Sequence, residues 1–132
     1  MEVNEMTIYD LPNDKRIEAS RRIQKIIGTK ESWITDNMDL SKRIEMRTRY
    51  DRLFEKLGKI YAEHGEKALA LSFTEDGDTL RGVTPNGKAW FLERNNGWTL
   101  RSHHCGTLWI EGEGMIFTSG TLARAFEYIL NH

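Results

Sequence analysis

The sequence predicts an α+β fold, in which N-terminal helices precede a six-stranded antiparallel β-meander at about 68–118 and a C-terminal helix packs on one sheet face. Two observations support this prediction. Apolar residues recur at three- and four-residue steps over 13–64, as in amphipathic helices, and the period changes to two after Gly65. Turns that contain glycine then separate six short strand-like stretches, which is typical of an antiparallel sheet.

A chain of 132 residues is long enough to bury its own core, so we predict a single domain over 1–132. Within it, 1–12 is an acidic N-terminal segment, 13–64 is helical, 65–118 forms the sheet and 121–131 forms the last helix. The helical part holds 13 basic and 9 acidic residues, whereas the whole chain has a net charge of −1. The excess of basic over acidic residues in the helical part is smaller than that of a dedicated nucleic-acid-binding domain.

The composition indicates a cytoplasmic protein. Hydrophobic residues make up 39% and charged residues 30% of the chain, which is typical of a soluble globular domain. No apolar run approaches the roughly 18 residues of a membrane span, and the first ten residues are acidic rather than secretory. The single cysteine excludes an internal disulfide. We therefore expect no contact with a membrane.

Two helices are predicted before the sheet. The first begins with Asn13 as its N-cap and ends at Gly28. Its apolar side consists of Ala19, Ile23, Ile26 and Ile27. The second helix, about 40–64, follows the N-cap Asp39. Its apolar positions are Leu40, Ile44, Tyr50, Phe54, Leu57 and Tyr61. Whether residues 6–10 add a further strand stays open.

Repeated turn sequences predict the strand register. The stretches T-PNG-K, R-NNG-W and H-HCG-T each fit a three-residue hairpin loop whose glycine (Gly87, Gly97 or Gly106) takes the left-handed conformation. Tighter turns are predicted at 76–77 and 113–114. Counting outward from these loops predicts one apolar row across the buried face, formed by Phe73, Leu80, Leu92, Leu100, Ile110 and Phe117. Trp90 falls opposite Gly82, where the missing side chain leaves room for an indole.

The same register predicts a row of cations and aromatic rings on the opposite face of the sheet. Its members, in order, are Arg81, Phe91, Arg101, Trp109 and Thr118, with His103 beside them. Cross-strand arginine–aromatic pairs support an exposed sheet. Arginine and tryptophan also dominate the hot spots of protein interfaces. The row is therefore interpreted either as structural support or as a binding site made of Arg81, Phe91, Arg101, Trp109 and His103.

The stretch RSHHCGTLW raises the question of a metal or catalytic site. His104 and Cys105 fall in a predicted hairpin loop, and a zinc site needs three or four ligands from at least two places. The remaining histidines, His64 and His132, do not have the spacing of a known zinc motif. We expect no metal, no cofactor and no catalytic residue, and whether Cys105 is reactive stays open. Phosphate-binding loops and nucleophile motifs are missing from the sequence as well, so an enzyme is not expected.

Three hypotheses for function follow. The first is a non-catalytic protein-binding domain that acts as a small inhibitor or regulator of a partner macromolecule. Small proteins without active sites are often inhibitors encoded by phages or mobile elements, and anti-CRISPR proteins are among them; this hypothesis depends on size and missing motifs. The second is nucleic-acid binding, through the sheet row or through basic helix residues, namely Arg21, Arg22, Lys25, Arg49, Arg52 and Lys56. The third is a small-molecule enzyme or carrier with a pocket between sheet and helices. Whether the protein forms a homodimer stays open.

Overall fold

A computed structural model describes residues 6–76, 79–94 and 104–132 of the chain. The helices are α1 (Asn13–Ile27), α2 (Leu40–His64), α3 (Glu66–Leu69) and α4 (Leu122–Leu130). The strands are β1 (Phe73–Asp76), β2 (Thr79–Val83), β3 (Ala89–Arg94), β4 (His104–Ile110) and β5 (Gly114–Thr121). The predicted α+β class, with N-terminal helices, an antiparallel sheet and a C-terminal helix, is confirmed.

The chain divides after Gly65 into two compact units, a helical one and one that contains the sheet. The prediction that the chain forms a single domain stays a prediction. Among the described residues, no helix is both long enough and apolar enough to cross a membrane.

Helix α1 has the apolar face that the sequence predicts, since Ala19, Ile23, Ile26 and Ile27 are all buried. Its predicted N-cap is wrong. Pro12 occupies the cap position, and the Asn13 side chain instead accepts a hydrogen bond from Arg16 Nη2 at 2.6 Å. Proline is tolerated at the start of a helix because an N–H group there has no partner within the helix, so the missing N–H of proline costs no hydrogen bond. Gly28 ends the helix with a φ of +86°, as expected of a glycine at this position.

Helix α2 starts as predicted, with the Asp39 carboxylate accepting a hydrogen bond from the Lys42 amide at 2.8 Å. Its buried stripe centres near Leu57 and includes Met46, which the sequence analysis left out. Leu40 and Ile44 belong to the apolar positions that the sequence indicates, and they are 73% and 57% exposed. At 100° per residue Leu40 lies at the same helical angle as buried Gly58, and Ile44 at the same angle as buried Ala62. Their exposure therefore depends on their position near the start of the helix and not on the helix face.

Two buried side chains close the connection between α1 and α2. Trp33 lies in a 3-10 turn and donates its indole N–H to the carbonyl of Ile27 at 2.7 Å. The Tyr50 hydroxyl donates to the carbonyl of Gly28 at 2.9 Å, and its ring meets Trp33 edge-on at 5.2 Å. Both bonds satisfy carbonyls at the C-terminal end of α1, which have no partner within the helix.

Residues 6–10 do not add a strand to the described sheet. Ile8–Asp10 forms a 3-10 turn that begins with a capping box. The Asp10 carboxylate accepts a hydrogen bond from the N–H of the N-cap residue Thr7 at 2.7 Å, and the Thr7 hydroxyl accepts one from the Tyr9 N–H at 3.3 Å. Ile8 is buried against Gly58 of α2. The question that the sequence left open for this segment is therefore answered by a 3-10 turn.

The sheet consists, in the described residues, of five antiparallel strands in the order β1-β2-β3-β4-β5. Its first strand begins at Phe73 rather than at residue 68, because α3 occupies the start of that stretch. The Ala70 amide donates to the carbonyl of Glu66 at 2.8 Å and continues the helical pattern. The predicted loop at 84–88 is confirmed. Gly87 has a φ of +86°, and the Thr84 amide donates a hydrogen bond to the carbonyl of Lys88 at 2.7 Å.

The register between β2 and β3 is confirmed, with Leu80 opposite Leu92 and Gly82 opposite Trp90. The register between β1 and β2 was predicted wrongly, since Phe73 lies opposite Gly82 rather than Leu80. The predicted partner and the observed partner of Phe73 are two residues apart on β2, and residues two apart on a strand lie on the same face. Phe73 therefore still faces the core, and the faces of the strand were assigned correctly.

Strand β3 pairs directly with β4. Leu92 lies opposite Leu108, in the place predicted for Leu100. The predicted pairing of Leu92 with Leu100 is therefore wrong. The predicted strand at 98–103 and the predicted loop around Gly97 lie outside the described residues.

The predicted hairpin loop at 103–107 is also wrong. His104–Ile110 is one continuous strand, and Gly106 pairs on one side with Arg94 and on the other with Gly120. Gly106 has a φ of +94°, and the register shifts on both sides of it. A glycine with positive φ serves a β-bulge as well as a hairpin loop, so the motif alone does not distinguish the two.

The turn between β4 and β5 comprises residues 111–113 rather than 113–114. The Glu113 amide donates to the carbonyl of Ile110 at 3.0 Å, and Ile110 lies opposite Gly114 instead of Phe117. On its other side Ile110 pairs with Trp90, so its predicted pairing with Leu100 is wrong as well.

Helix α4 covers the apolar face of the sheet. Thr121 caps the helix by accepting a hydrogen bond from the Arg124 amide at 3.3 Å. The Phe126 ring meets those of Phe73 and Trp90 edge-on, with centroids 5.9 and 6.0 Å away. Trp90 is 2% exposed, and its indole Nε1 has no hydrogen-bond partner within the described part of the chain.

Candidate protein-binding surface

Four side chains line up across the face of the sheet opposite α4, one from each of strands β2 to β5. We call Arg81, Phe91, Trp109 and Met115 the exposed row. Backbone pairing places Arg81 opposite Phe91, Phe91 opposite Trp109 and Trp109 opposite Met115. Alternate residues of a strand face opposite sides of a sheet, and the neighbours Leu80, Trp90, Leu92, Leu108 and Ile110 belong to the core.

The exposed row is stacked rather than merely aligned. The Arg81 guanidinium lies over the Phe91 ring at 5.9 Å from its centroid. The rings of Phe91 and Trp109 stack with centroids 5.3 Å apart and planes inclined by 16°. Both rings are half-buried, whereas Arg81 is exposed. The stack holds the arginine and the two rings in fixed positions relative to one another.

Two exposed apolar side chains flank this stack. Met115 is 60% exposed at one end of the row, and Val83 is 54% exposed beside Arg81. Sequence analysis missed Met115, because the misplaced turn between β4 and β5 put Thr118 opposite Trp109. Val83 lies on the same face as Arg81, two residues away along β2, as the register predicts. Together Met115 and Val83 extend the apolar surface that the rings present.

The remaining predicted members of the surface, Arg101 and His103, lie outside the described residues. Their predicted relation to the row changes, however, because Phe91 and Trp109 pair directly with no residue between them. The predicted pairings of Phe91 with Arg101 and of Arg101 with Trp109 are therefore wrong.

Nearby carboxylates have local partners. Glu111 Oε1 accepts a hydrogen bond from the Ala89 amide at 3.2 Å, and Glu113 Oε1 lies 3.4 Å from Lys88 Nζ. The row itself offers a guanidinium, two aromatic rings and a thioether. None of these groups is a nucleophile or a general base at neutral pH. This arrangement suits contact with a partner rather than catalysis.

An open groove of about 720 Å³ adjoins the exposed row at the β1 edge of the sheet. We call it the edge groove. Its lining includes the apolar residues Leu71 before β1, Phe73 at the start of β1, Val83 at the end of β2 and Pro85 in the loop that follows. Lys67 and Arg81 also line it. Arg81 and Val83 thus belong both to the groove and to the surface around the exposed row.

The alternative basic residues lie on α1 and α2, and several are paired within their own helix. Arg22 Nε lies 3.2 Å from Glu18 Oε1, and Arg21 lies 3.9 Å from the other oxygen of that carboxylate. Arg49 Nη2 lies 2.7 Å from Glu45 Oε1. These carboxylates reduce the positive charge that the two helices present to a phosphate.

The other three basic residues, Lys25, Arg52 and Lys56, are exposed. Arg52 and Lys56 are four residues apart on α2 and therefore lie on one face. Two cations on a helix face are far fewer than the phosphate contacts on which nucleic-acid affinity depends.

No protein-family model matches this sequence, and comparison with the curated proteins and with the solved structures found no match either.

Proposed function

We propose that this protein is a non-catalytic binding domain of the cytoplasm that acts by covering a surface of a partner protein with its exposed row. One observation carries the proposal. Arg81, Phe91 and Trp109 form a continuous stack on the face of the sheet opposite α4, between exposed Val83 and Met115.

The composition of this surface supports protein binding. Arginine, aromatic residues and methionine are enriched in interfaces, and tryptophan and arginine are the residues whose truncation costs most affinity. A pre-stacked row also loses little conformational entropy when a partner docks on it. The row spans three strand spacings of roughly 4.8 Å each, so it forms the centre of an interface rather than its whole area.

The mode of action that follows is occupancy of a partner's surface. Such a protein acts as a small inhibitor or regulator, and the anti-CRISPR-like hypothesis, with its phage or mobile-element origin, is one form of it. The lack of catalytic motifs in the sequence supports this class. Nucleic-acid binding is the alternative that the experiment below distinguishes.

The test is capture of partners by the tagged full-length protein, with and without nuclease, followed by affinity measurement on the captured partner. We expect a protein partner that survives nuclease treatment. Trp109→Ala and Phe91→Ala should each weaken its binding by about tenfold or more. Tyr9→Ala is the matched control, since Tyr9 is 77% exposed in the other unit of the chain.

Two results would overturn the proposal. One is a partner whose affinity is unchanged by both substitutions in the row. The other is loss of the captured material with nuclease, together with an affinity that falls steeply with salt and with Arg52→Glu. That second result would favour nucleic-acid binding through α2.

A further inference from the structure

The 3-10 turn Ile8–Asp10 contacts both α1 and α2, and two open grooves meet at it. Ile8, Tyr9 and Phe54 line both grooves. The first groove, of about 370 Å³, is otherwise lined by α1, through Arg16, Ile17, Ser20, Arg21 and Gln24. The second groove, of about 410 Å³, is otherwise lined by Thr7 and by α2, through Asp51, Glu55 and Gly58. The turn therefore separates a groove on the α1 side from a groove on the α2 side.

The two grooves carry charges of opposite sign. Arg16 and Arg21 line the groove on the α1 side, and no carboxylate belongs to its lining within the described residues. Asp51 and Glu55 line the groove on the α2 side, whose described lining contains no cation. We call them the basic groove and the acidic groove. One surface of the helical unit thus presents both signs of charge, one on each side of the turn.

These charged side chains are accessible to a docking surface. Arg21 Nη1 lies 3.9 Å from Glu18 Oε2, and Asp51 Oδ1 lies 2.8 Å from Lys30 Nζ, and both pairs are solvent-accessible. Glu55 is exposed as well. Exposed ion pairs contribute at most about 1 kcal/mol, so these groups can exchange partners when another surface docks.

Exposed apolar side chains accompany the charges. Tyr9 is 77% exposed where the two grooves meet, and Ile17 is 54% exposed beside it in the basic groove. The Arg16 guanidinium lies over the Tyr9 ring, 5.8 Å from its centroid, and donates a hydrogen bond to Asn13 Oδ1 at 2.6 Å. The Tyr9 ring is therefore held by a cation that is itself fixed to the start of α1. Apolar patches with a polar rim mark interaction surfaces.

We propose that the basic and acidic grooves together bind a second copy of this chain, about a twofold axis that runs along the turn. A twofold axis brings the same surface of both copies face to face, so the basic groove of each copy meets the acidic groove of the other. Arg21 of each copy then lies near Glu55 of the other, and the two Tyr9 rings meet at the axis. Each contact occurs twice, because such an interface is symmetric.

Charge complementarity selects a second copy as the occupant. A partner surface of one charge sign would be attracted by one groove and repelled by the other. A copy related by a twofold axis presents both signs in the reversed order, so both grooves attract it. A surface made of one turn and parts of two helices is small, which predicts a weak and reversible dimer.

The experiment is sedimentation velocity of the full-length protein over a dilution series from near-millimolar to micromolar concentrations. We expect a monomer–dimer equilibrium with a Kd inside that series. Arg21→Glu and Glu55→Arg should each weaken the dimer about tenfold or more, because each substitution places like charges opposite each other at both contacts. Raised salt should weaken the dimer of the parent protein as well.

Mixing the two variants in equal amounts is the sharpest test. When one copy carries Arg21→Glu and the other carries Glu55→Arg, opposite charges meet at both contacts of the mixed dimer. The mixture should therefore associate at least as tightly as the parent protein, while each variant alone stays mostly monomeric. Mixing cannot rescue a variant that has failed to fold, so this result separates a lost contact from a lost fold.

Glu63→Arg is the matched control, since Glu63 is an exposed carboxylate of α2 that lines neither groove. It should leave the Kd unchanged. Three results would each overturn the inference. They are a parent protein that stays monomeric over the whole series, a dimer that tolerates both charge reversals, and a mixture of the two variants that does not associate.

The dimer and the proposed function fail separately, because the two grooves belong to the helical unit and the exposed row belongs to the other unit. Tyr9→Ala should weaken the dimer and leave binding of the partner protein by the exposed row unchanged. A monomeric protein whose partner binding is lost in Trp109→Ala would exclude only the dimer. A dimer whose partner ignores Trp109→Ala and Phe91→Ala would exclude only the exposed row.

Discussion

The rings of Phe91 and Trp109 stack across neighbouring strands, with centroids 5.3 Å apart and planes within 16° of parallel. Such a pair contributes about 0.5–1.5 kcal/mol beyond the area it buries. A double-mutant cycle with Phe91→Ala and Trp109→Ala should therefore give a coupling free energy of unfolding in that range. The same cycle on the neighbouring pair Thr79 and Glu93 should give a smaller value, and equal values would contradict the stacking.

Gly82 has no room for a side chain. A Cβ at this position would lie 2.6 Å from the carbonyl oxygen of Ser72 and 2.8 Å from Trp90 Cζ2. We expect Gly82→Ala to lower the free energy of unfolding by about 1–3 kcal/mol, because backbone and indole must both shift. Chemical denaturation measures this change.

Gly58→Ala should change stability in the opposite direction. Gly58 lies inside α2, and an added Cβ would be 3.5 Å from Ile8 Cβ, an ordinary contact. Alanine is favoured over glycine in a helix by about 0.5–1 kcal/mol, so the variant should be more stable by an amount of that order. A destabilised Gly58→Ala protein would show that Ile8 packs more closely than described.

Tyr50→Phe should destabilise the helical unit by about 0.5–1.5 kcal/mol. The substitution removes the hydroxyl that donates to the Gly28 carbonyl at 2.9 Å and leaves that helix end without this partner. Tyr9→Phe is the matched control, since its side chain is 77% exposed. The urea midpoint should be lower for Tyr50→Phe than for Tyr9→Phe, and equal midpoints would argue against the hydrogen bond from Tyr50 to Gly28.

Tyr61 is expected to make the free energy of unfolding decrease as pH rises in the alkaline range. Burial raises the pKa of its hydroxyl to about 12, with a smaller contribution of the opposite sign from Arg22. In the unfolded chain a tyrosine ionises near pH 10, so the stabilisation is complete below that pH and is lost as pH rises toward 12. Tyr61→Phe should lose less stability than the parent between about pH 9 and pH 12, as measured by denaturant midpoints.

Helix patterns were predicted better than sheet register. The buried face of α1 and the Asp39 cap follow from local sequence, because helix contacts depend on fixed spacings along the chain. The exposure of Leu40 and Ile44 did not follow. Residues at the same helical angles, Gly58 and Ala62, are buried farther along α2, so the period of the sequence does not show which end of that face is covered.

The exposed row could be predicted in part. Arg81 and Phe91 were paired correctly, because the loop at 84–88 fixes the register between β2 and β3. The pairing of Trp109 with Phe91 was not predicted, because Gly106 was assigned to a hairpin loop, whereas it lies within β4. A positive φ is compatible with both structures, and pairing with strands on either side decides between them.

The order of the strands has a consequence for how the sheet forms. Every described strand pairs with the one next to it in sequence, so each step of assembly closes only a short loop of chain. Proteins built from such local pairings have low contact order and fold faster than sheets that join distant segments. The meander can therefore grow one hairpin at a time, and docking of α4 onto the finished face, where Phe126 meets Phe73 and Trp90, completes the hydrophobic core last.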